Sequence, residues 1–276
     1  EWSYKSGKLE GVSREYYDGG KDIRFQWAFI GDKKEGISRE LYAGGALKTE
    51  KFFSGGKDLE TDKGYYETGQ LMYEEGFRDG VRFRKEVYDT GKPKAEYLYG
   101  KDRSRGPLKT VNYDKNGKIK SEYGMKDGRK EGFAREYFEN GKVKVEATFK
   151  GGELSGIRKE FHANGNPRTE ENYVNGKRQG IAVNSLATGM TESEISWANG
   201  MRTGPAKLYF DSGKLRAEEF YKGDVLEGKR KEYYESGALK SEYTYENGKQ
   251  NGPTSIIAGS GRLKVDLSFW DGNLSG

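Results

Sequence analysis

Eleven glycines recur along this chain at a nearly constant interval: Gly20, Gly45, Gly69, Gly91, Gly117, Gly141, Gly165, Gly189, Gly213, Gly237 and Gly261. From Gly117 onward every step is 24 residues, and the earlier steps run from 22 to 26. A second series follows the anchor glycine by 11 residues (Gly128, Gly152, Gly176, Gly200, Gly248, Gly272), and a third by 15 (from Gly132 to Gly276). A repeat of this length is one supersecondary unit that cannot bury an apolar face alone, so copies have to stack. The chain therefore reads as a single repeat array over 1–276, opening on a half repeat at 1–12, with irregular repeats near 55–64, 100–106 and 181–200.

The residue before the anchor is Asn116, Asn140, Asn164, Thr188, Ser212, Ser236 or Ser260. Asn-Gly between two β-rich runs signals a hairpin, and the reading places the anchor pair in a two-residue turn with both residues at positive φ. Counting outward, the residue six before the anchor then faces the residue five after it. Those positions read Arg39 with Glu50, Lys63 with Glu74, Lys85 with Glu96, Arg135 with Glu146, Lys159 with Glu170, Lys207 with Glu218, and Lys231 with Glu242. Opposite charges in seven repeats support this register independently of the turn. A structural ladder through Arg135, Glu146, Lys159, Glu170, Lys231 and Glu242 is the expectation.

Strand side chains alternate between faces with period two. One face collects the positions three before, two after and eight after the anchor, such as Phe138, Val143 and Phe149, and reads as apolar. The other carries the charge pairs and an aromatic column four before the anchor, including Tyr137, Phe161, Tyr209 and Tyr233. The fold class expected is all-β: an elongated single-layer antiparallel sheet of about eleven tandem 24-residue hairpins, with roughly 23 strands over about 100 Å.

Composition agrees with an ordered but shallow structure. Charged residues make up 34% and mean hydropathy is −1.01, yet the chain holds 20 Tyr, 13 Phe and 41 Gly. The 49 basic and 44 acidic residues are interspersed, which speaks against nucleic acid as a partner and against an anionic membrane surface.

The run Lys231 to Gly252, with Tyr-Tyr-Glu-Ser-Gly-Ala-Leu-Lys-Ser-Glu at its centre, resembles the MORN-repeat variant of bacterial proteins, of the YwqK antitoxin type. The resemblance extends over nearly the whole chain. It implies an antiparallel sheet, a scaffold or partner-binding role, and toxin neutralisation; it implies no catalytic residue.

Chemistry by the usual side chains is not expected. There is no Cys, and the single His162 stands in the slot held elsewhere by Phe138 or Tyr234. No metal, cofactor or catalytic residue is assigned, and the Glu column opposite cations reads as structural. The expected function is non-enzymatic protein binding, as an antitoxin or immunity protein with a toxin as partner, or self-association. The alternative is a cell-envelope, adhesive or carbohydrate-binding repeat protein. The compartment stays open, with bacterial envelope or export favoured over cytoplasm. Because equal copies offer a partner no unique address, the divergent repeat supplies the candidate site: Ser185, Leu186, Met190 and Trp197.

Overall fold

The computed structural model describes residues 1–275; Gly276, the last of the third glycine series, lies outside the described residues. Contacts divide the chain into two units, Glu1–Arg129 and Lys130–Gly276. Both are all-β. The first unit carries the hairpins turning at Gly20, Gly45, Gly69, Gly91 and Gly117, and the second those turning at Gly141, Gly165, Gly189, Gly213, Gly237 and Gly261. Within each unit all strand pairs are antiparallel, and each strand pairs with strands close to it in the chain. In the second unit the closing strand Asn273–Ser275 pairs with Leu263–Trp270. A 3-10 turn at Arg103–Arg105 is the one helical element among the described residues.

The expected register is present. Arg135 pairs with Glu146, Lys159 with Glu170 and Lys231 with Glu242, and the same offset holds at Arg39, Lys63, Lys85 and Lys207.

The turn proposed to produce that register is a different one. At Gly141, Phe138 N–H donates to Lys142 O at 2.8 Å and Gly141 N–H donates to Phe138 O at 2.8 Å, so the loop has three residues. Gly141 has φ +82°, while Asn140 is not among the residues at positive φ. This is a tight turn closed by a left-handed glycine, followed by a bulge: Tyr137 pairs with Val143 but Glu136 with Val145. The extra loop residue and the extra bulge residue cancel, which is why counting from a two-residue turn reached the correct partners.

Two-residue turns with both residues at positive φ do occur, at the second glycine series between hairpins. Asn175 (φ 49°) with Gly176 and Asn199 (φ 54°) with Gly200 are examples. Of the ten described non-glycine residues at positive φ, all but Glu60 sit in these turns, and most are Asn or Asp, whose short polar side chains tolerate that conformation. The turns are braced by side chains one repeat back. Glu131 accepts from Gly151 N–H at 2.7 Å, Gln179 from Asn199 N–H at 3.0 Å, and Glu227 from Asn247 N–H at 2.9 Å.

The core differs from the expected one. The buried positions are mostly small residues seven before and four or six after the anchor, including Ala134, Ala147, Ala182, Ala206, Ala217 and Ser241, with Phe29 and Val87 as larger members. Phe138, Val143 and Phe149 are only half-buried. Without a second layer, short side chains shadowed by their neighbours are the ones most readily screened from water. Nor is this face purely apolar: it holds the buried carboxylates Glu75 and Glu171.

A second column knits successive hairpins. The aromatic three before the anchor donates its hydroxyl to a backbone carbonyl of the next repeat: Tyr17 to Leu41 O at 2.7 Å, Tyr66 to Val87 O at 2.9 Å, Tyr234 to Ile257 O at 2.9 Å. His162 fills this slot chemically as well as sterically, with Nε2 2.8 Å from Ser185 O.

Candidate binding sites

On the face that carries the charge pairs, Arg135 and Glu146 approach to 2.7 Å, Lys159 and Glu170 to 2.9 Å, and Lys231 and Glu242 to 4.0 Å. The aromatic four before the next anchor extends the ladder: Tyr65 donates to Glu50 at 3.0 Å and Tyr233 to Glu218 at 2.8 Å. Burial first, and then the bond to Glu218, push the Tyr233 phenol up to about 12. Beside this ladder runs a short apolar row at the position eight before the anchor, in the three successive hairpins turning at Gly141, Gly165 and Gly189; the next two hairpins carry Pro205 and Lys229 there. Phe133, Ile157 and Ile181 are 46%, 51% and 61% exposed.

The four candidate residues of the divergent repeat do not form one cluster. Ser185, Leu186 and Met190 surround the turn at Gly189, where Leu186 N–H donates to Met190 O at 2.9 Å. Trp197 pairs with Gly180 at the far end of the hairpin, about 20 Å away at strand spacing. Ser185 shares a face with Ile181, whereas Trp197 lies on the opposite face with Arg178 stacked 4.6 Å over its ring. Met190 is 41% exposed. Asn184, which breaks the repeat pattern in sequence, is matched by Ser193, to which it donates at 2.8 Å. Arg202 over Tyr221 (4.2 Å) and Lys130 over Phe149 (5.0 Å) repeat the stacking seen at Trp197. Cations therefore occupy ring faces that a sugar would need.

Sequence reasoning missed a cleft of about 980 Å³ in the first unit. Both irregular stretches of that unit wall it: Asp58, Glu60 and Asp62 from one, Gly100, Lys101 and Arg103 from the other. On its floor Glu75, with a side chain 3% exposed, receives three arginines. Arg82 Nη2 lies 2.6 Å from Oε1, Arg84 Nη1 3.1 Å from Oε2, and Arg103 Nη1 2.8 Å from Oε1. Arg82 also pairs with Glu60, and Arg84 with Glu86 at 3.3 Å. Burial, and then the field of Arg103, lower the Arg82 guanidinium below its ordinary value. Tyr73 donates to Asp62 at 3.2 Å, and its phenol is pushed up to about 12 by burial and then by the Asp62 charge.

Regular counterparts of Glu75 occur in the second unit. Glu171 is held by Arg158 at 3.3 Å, Arg178 at 2.9 Å and the Tyr173 hydroxyl at 2.8 Å; Glu219 by Arg230 at 2.8 Å and the Tyr221 hydroxyl at 2.7 Å. At the equivalent aromatic position the Glu75 hairpin has Phe77, which has no hydroxyl to offer.

Five segments match the MORN repeat variant. They are residues 63–79, 130–150, 154–175, 202–222 and 226–247, together more than a third of the chain, and each spans the turn of one hairpin. That repeat points to a binding scaffold. No curated protein matches the chain. Among solved structures, the TcdB2-TccC3-Cdc42 crystal structure shares 14% identity over 100% of this chain with a TM-score of 0.22. A porin-like protein from Bacteroides uniformis shares 8% over 87% of this chain and 91% of its own, with a TM-score of 0.15. The chain spans 16% of the first of these. Likenesses this slight carry no argument about function.

Proposed function

We propose that the chain is a non-enzymatic protein-binding scaffold whose partner docks on the ladder-bearing face of the second unit. The observation that carries this reading is the exposed row Phe133, Ile157 and Ile181, repeated at one position of successive hairpins and flanked by the Arg135–Glu146 and Lys159–Glu170 pairs. An apolar strip rimmed by charge is the usual anatomy of a protein interface, and isolated monomers seldom leave such strips uncovered. Ser185, which interrupts the aromatic column of Tyr137, Phe161, Tyr209 and Tyr233, gives this face a local departure from the consensus beside Ile181, and hence an address.

In its finer form the proposal makes the partner a toxin that the chain neutralises, as the resemblance to the antitoxin-type repeat implies. The test is a pull-down with the full chain, followed by affinity measurements on variants. Replacing Ile157 and Ile181 by Asp together should weaken binding by more than about tenfold, or 1.4 kcal/mol, with the circular dichroism unchanged. Ser185→Tyr should weaken it and Trp197→Phe should not. Unchanged affinity in the double Asp variant would sink the docking face. Recovery of a partner whose toxicity is not relieved on co-expression would sink only the antitoxin form.

A further inference from the structure

The cleft over Glu75 belongs to neither the ladder nor the apolar row, and its construction is specific. Two departures from the repeat, 40 residues apart in sequence from Glu60 to Gly100, wall one space. The second departure is braced by its own side chains. Asp102 accepts from Ser104 N–H at 3.0 Å and from its hydroxyl at 2.6 Å, and Arg105 pairs with Asp102 at 3.4 Å. This turn delivers Arg103 to a carboxylate that Arg82 and Arg84 already bond at both oxygens. Arg103 is thus a third guanidinium on one carboxylate, with its side chain 51% exposed.

The charges lining the cleft are Lys51, Arg82, Arg84, Lys101 and Arg103 against Asp58, Glu60, Asp62 and Glu75, an excess of one cation. The acidic wall is internally occupied: Asp62 by Tyr73, Glu60 by Arg82, and Asp58 by Lys51 at 4.0 Å. Lys101 forms no ion pair among the described residues. With the lining carboxylates occupied, Lys101 is the lining cation open to an anion, and a singly charged anion meets less repulsion from the four carboxylates than a phosphate dianion. Phe77, Val81, Tyr99 and Leu108 supply the rest of the lining, and Arg103 stands 5.7 Å over the Tyr99 ring. Arg103 spans both oxygens of Glu75, Nη1 2.8 Å from Oε1 and Nη2 3.3 Å from Oε2, which leaves its Nε–H and outer N–H groups, beside the aromatic wall, to donate to a planar carboxylate on a hydrophobic body.

We propose that this cleft is a binding site for a carboxylate carried on an apolar body. Arg103 and Lys101 receive the carboxylate, and Phe77, Val81, Tyr99 and Leu108 receive the body. The assignment does not depend on the partner face of the second unit, and variants of Ile157 and Ile181 leave it untouched.

Titration calorimetry of the full chain with phenylacetate tests it, with phenethylammonium as the probe of the same ring and opposite charge. Phenylacetate should bind, and phenethylammonium should bind at least about tenfold more weakly. Arg103→Gln should weaken phenylacetate by about tenfold or more, the usual loss for one charge-assisted hydrogen bond. Lys101→Gln, at an exposed side chain without an ion pair, keeps the test valid if Arg103→Gln disturbs the turn, and should also weaken binding. Acetylphenylalanine separates the sources: tighter binding than phenylacetate indicates a peptide terminus, weaker binding a free acid. Equal affinity for the two charged probes, no binding of phenylacetate, or indifference to both substitutions would overturn the assignment.

Discussion

Gly64 shows how closely one residue can be dictated by packing. A Cβ built there would lie 2.1 Å from Cε1 of Tyr73, whose ring is held by Asp62 through its hydroxyl and by Arg84 stacked at 4.3 Å. The ring cannot retreat without breaking both contacts, so Gly64→Ala should destabilise the chain by about 1–3 kcal/mol. Adding Tyr73→Ala should recover part of that cost; strictly additive losses in urea denaturation would show that the clash is not the cause. Two tyrosines, one on the ladder and one beside the cleft, titrate with a definite sign. Tyr233 and Tyr73 are raised from 10.0 to about 12, so the folded state holds their protons where the unfolded chain releases them. Their contribution is complete below about pH 10 and is lost as pH rises from about 10 to about 12. Denaturation midpoints measured across that window should fall, and those of Tyr233→Phe should fall less steeply. The aromatic role of His162 was legible from its slot. Its bond to Ser185 O was not, because period-two alternation says nothing about reach into the next repeat.

At the scale of the hairpin, two kinds of turn alternate, and they should respond differently to substitution. Asn175 sits at φ 49° in a turn between hairpins, and Asn175→Ala should cost about 1–2 kcal/mol. Ser212 precedes an anchor glycine without positive φ, and Ser212→Ala should stay within about 0.5 kcal/mol. Equal costs in chemical denaturation would contradict the assignment of turn types. The cross-strand pair Arg135–Glu146 should show a coupling of about 0.2–1 kcal/mol in a charge-swap cycle, with the double reversal recovering stability lost in either single one. The register was readable because seven repeats report it redundantly. The turn type was not, because a three-residue loop with a bulge and a two-residue loop without one align the same distant partners.

At the scale of the units, stability spreads along the stack, since the strands make their substantial contacts with neighbours in the chain. Deleting Gly237 to Ser260, one repeat length, should lower stability by degrees and leave the β signature in circular dichroism. Collapse of the whole signal would mean cooperativity beyond nearest neighbours. Ion pairs of the ladder are partly solvent-exposed, from Glu50 at 16% to Glu170 at 47% accessible. Each contributes little, and high salt should weaken the fold only slightly.

What the sequence determined by itself was local and repeated: the hairpin length, the cross-strand partner of each ladder charge, and the face on which each strand side chain lies. These follow from period-two geometry, and every copy restates them. The tertiary structure alone decided which side chains are covered, because in a sheet without a second layer coverage depends on the neighbouring hairpin's side chains. Ala134 is buried while Phe138 is not. It alone also decided that residues 55–64 and 100–106 meet over Glu75. Each stretch occurs once and has no copy to average against, so their meeting depends on how the intervening hairpins stack.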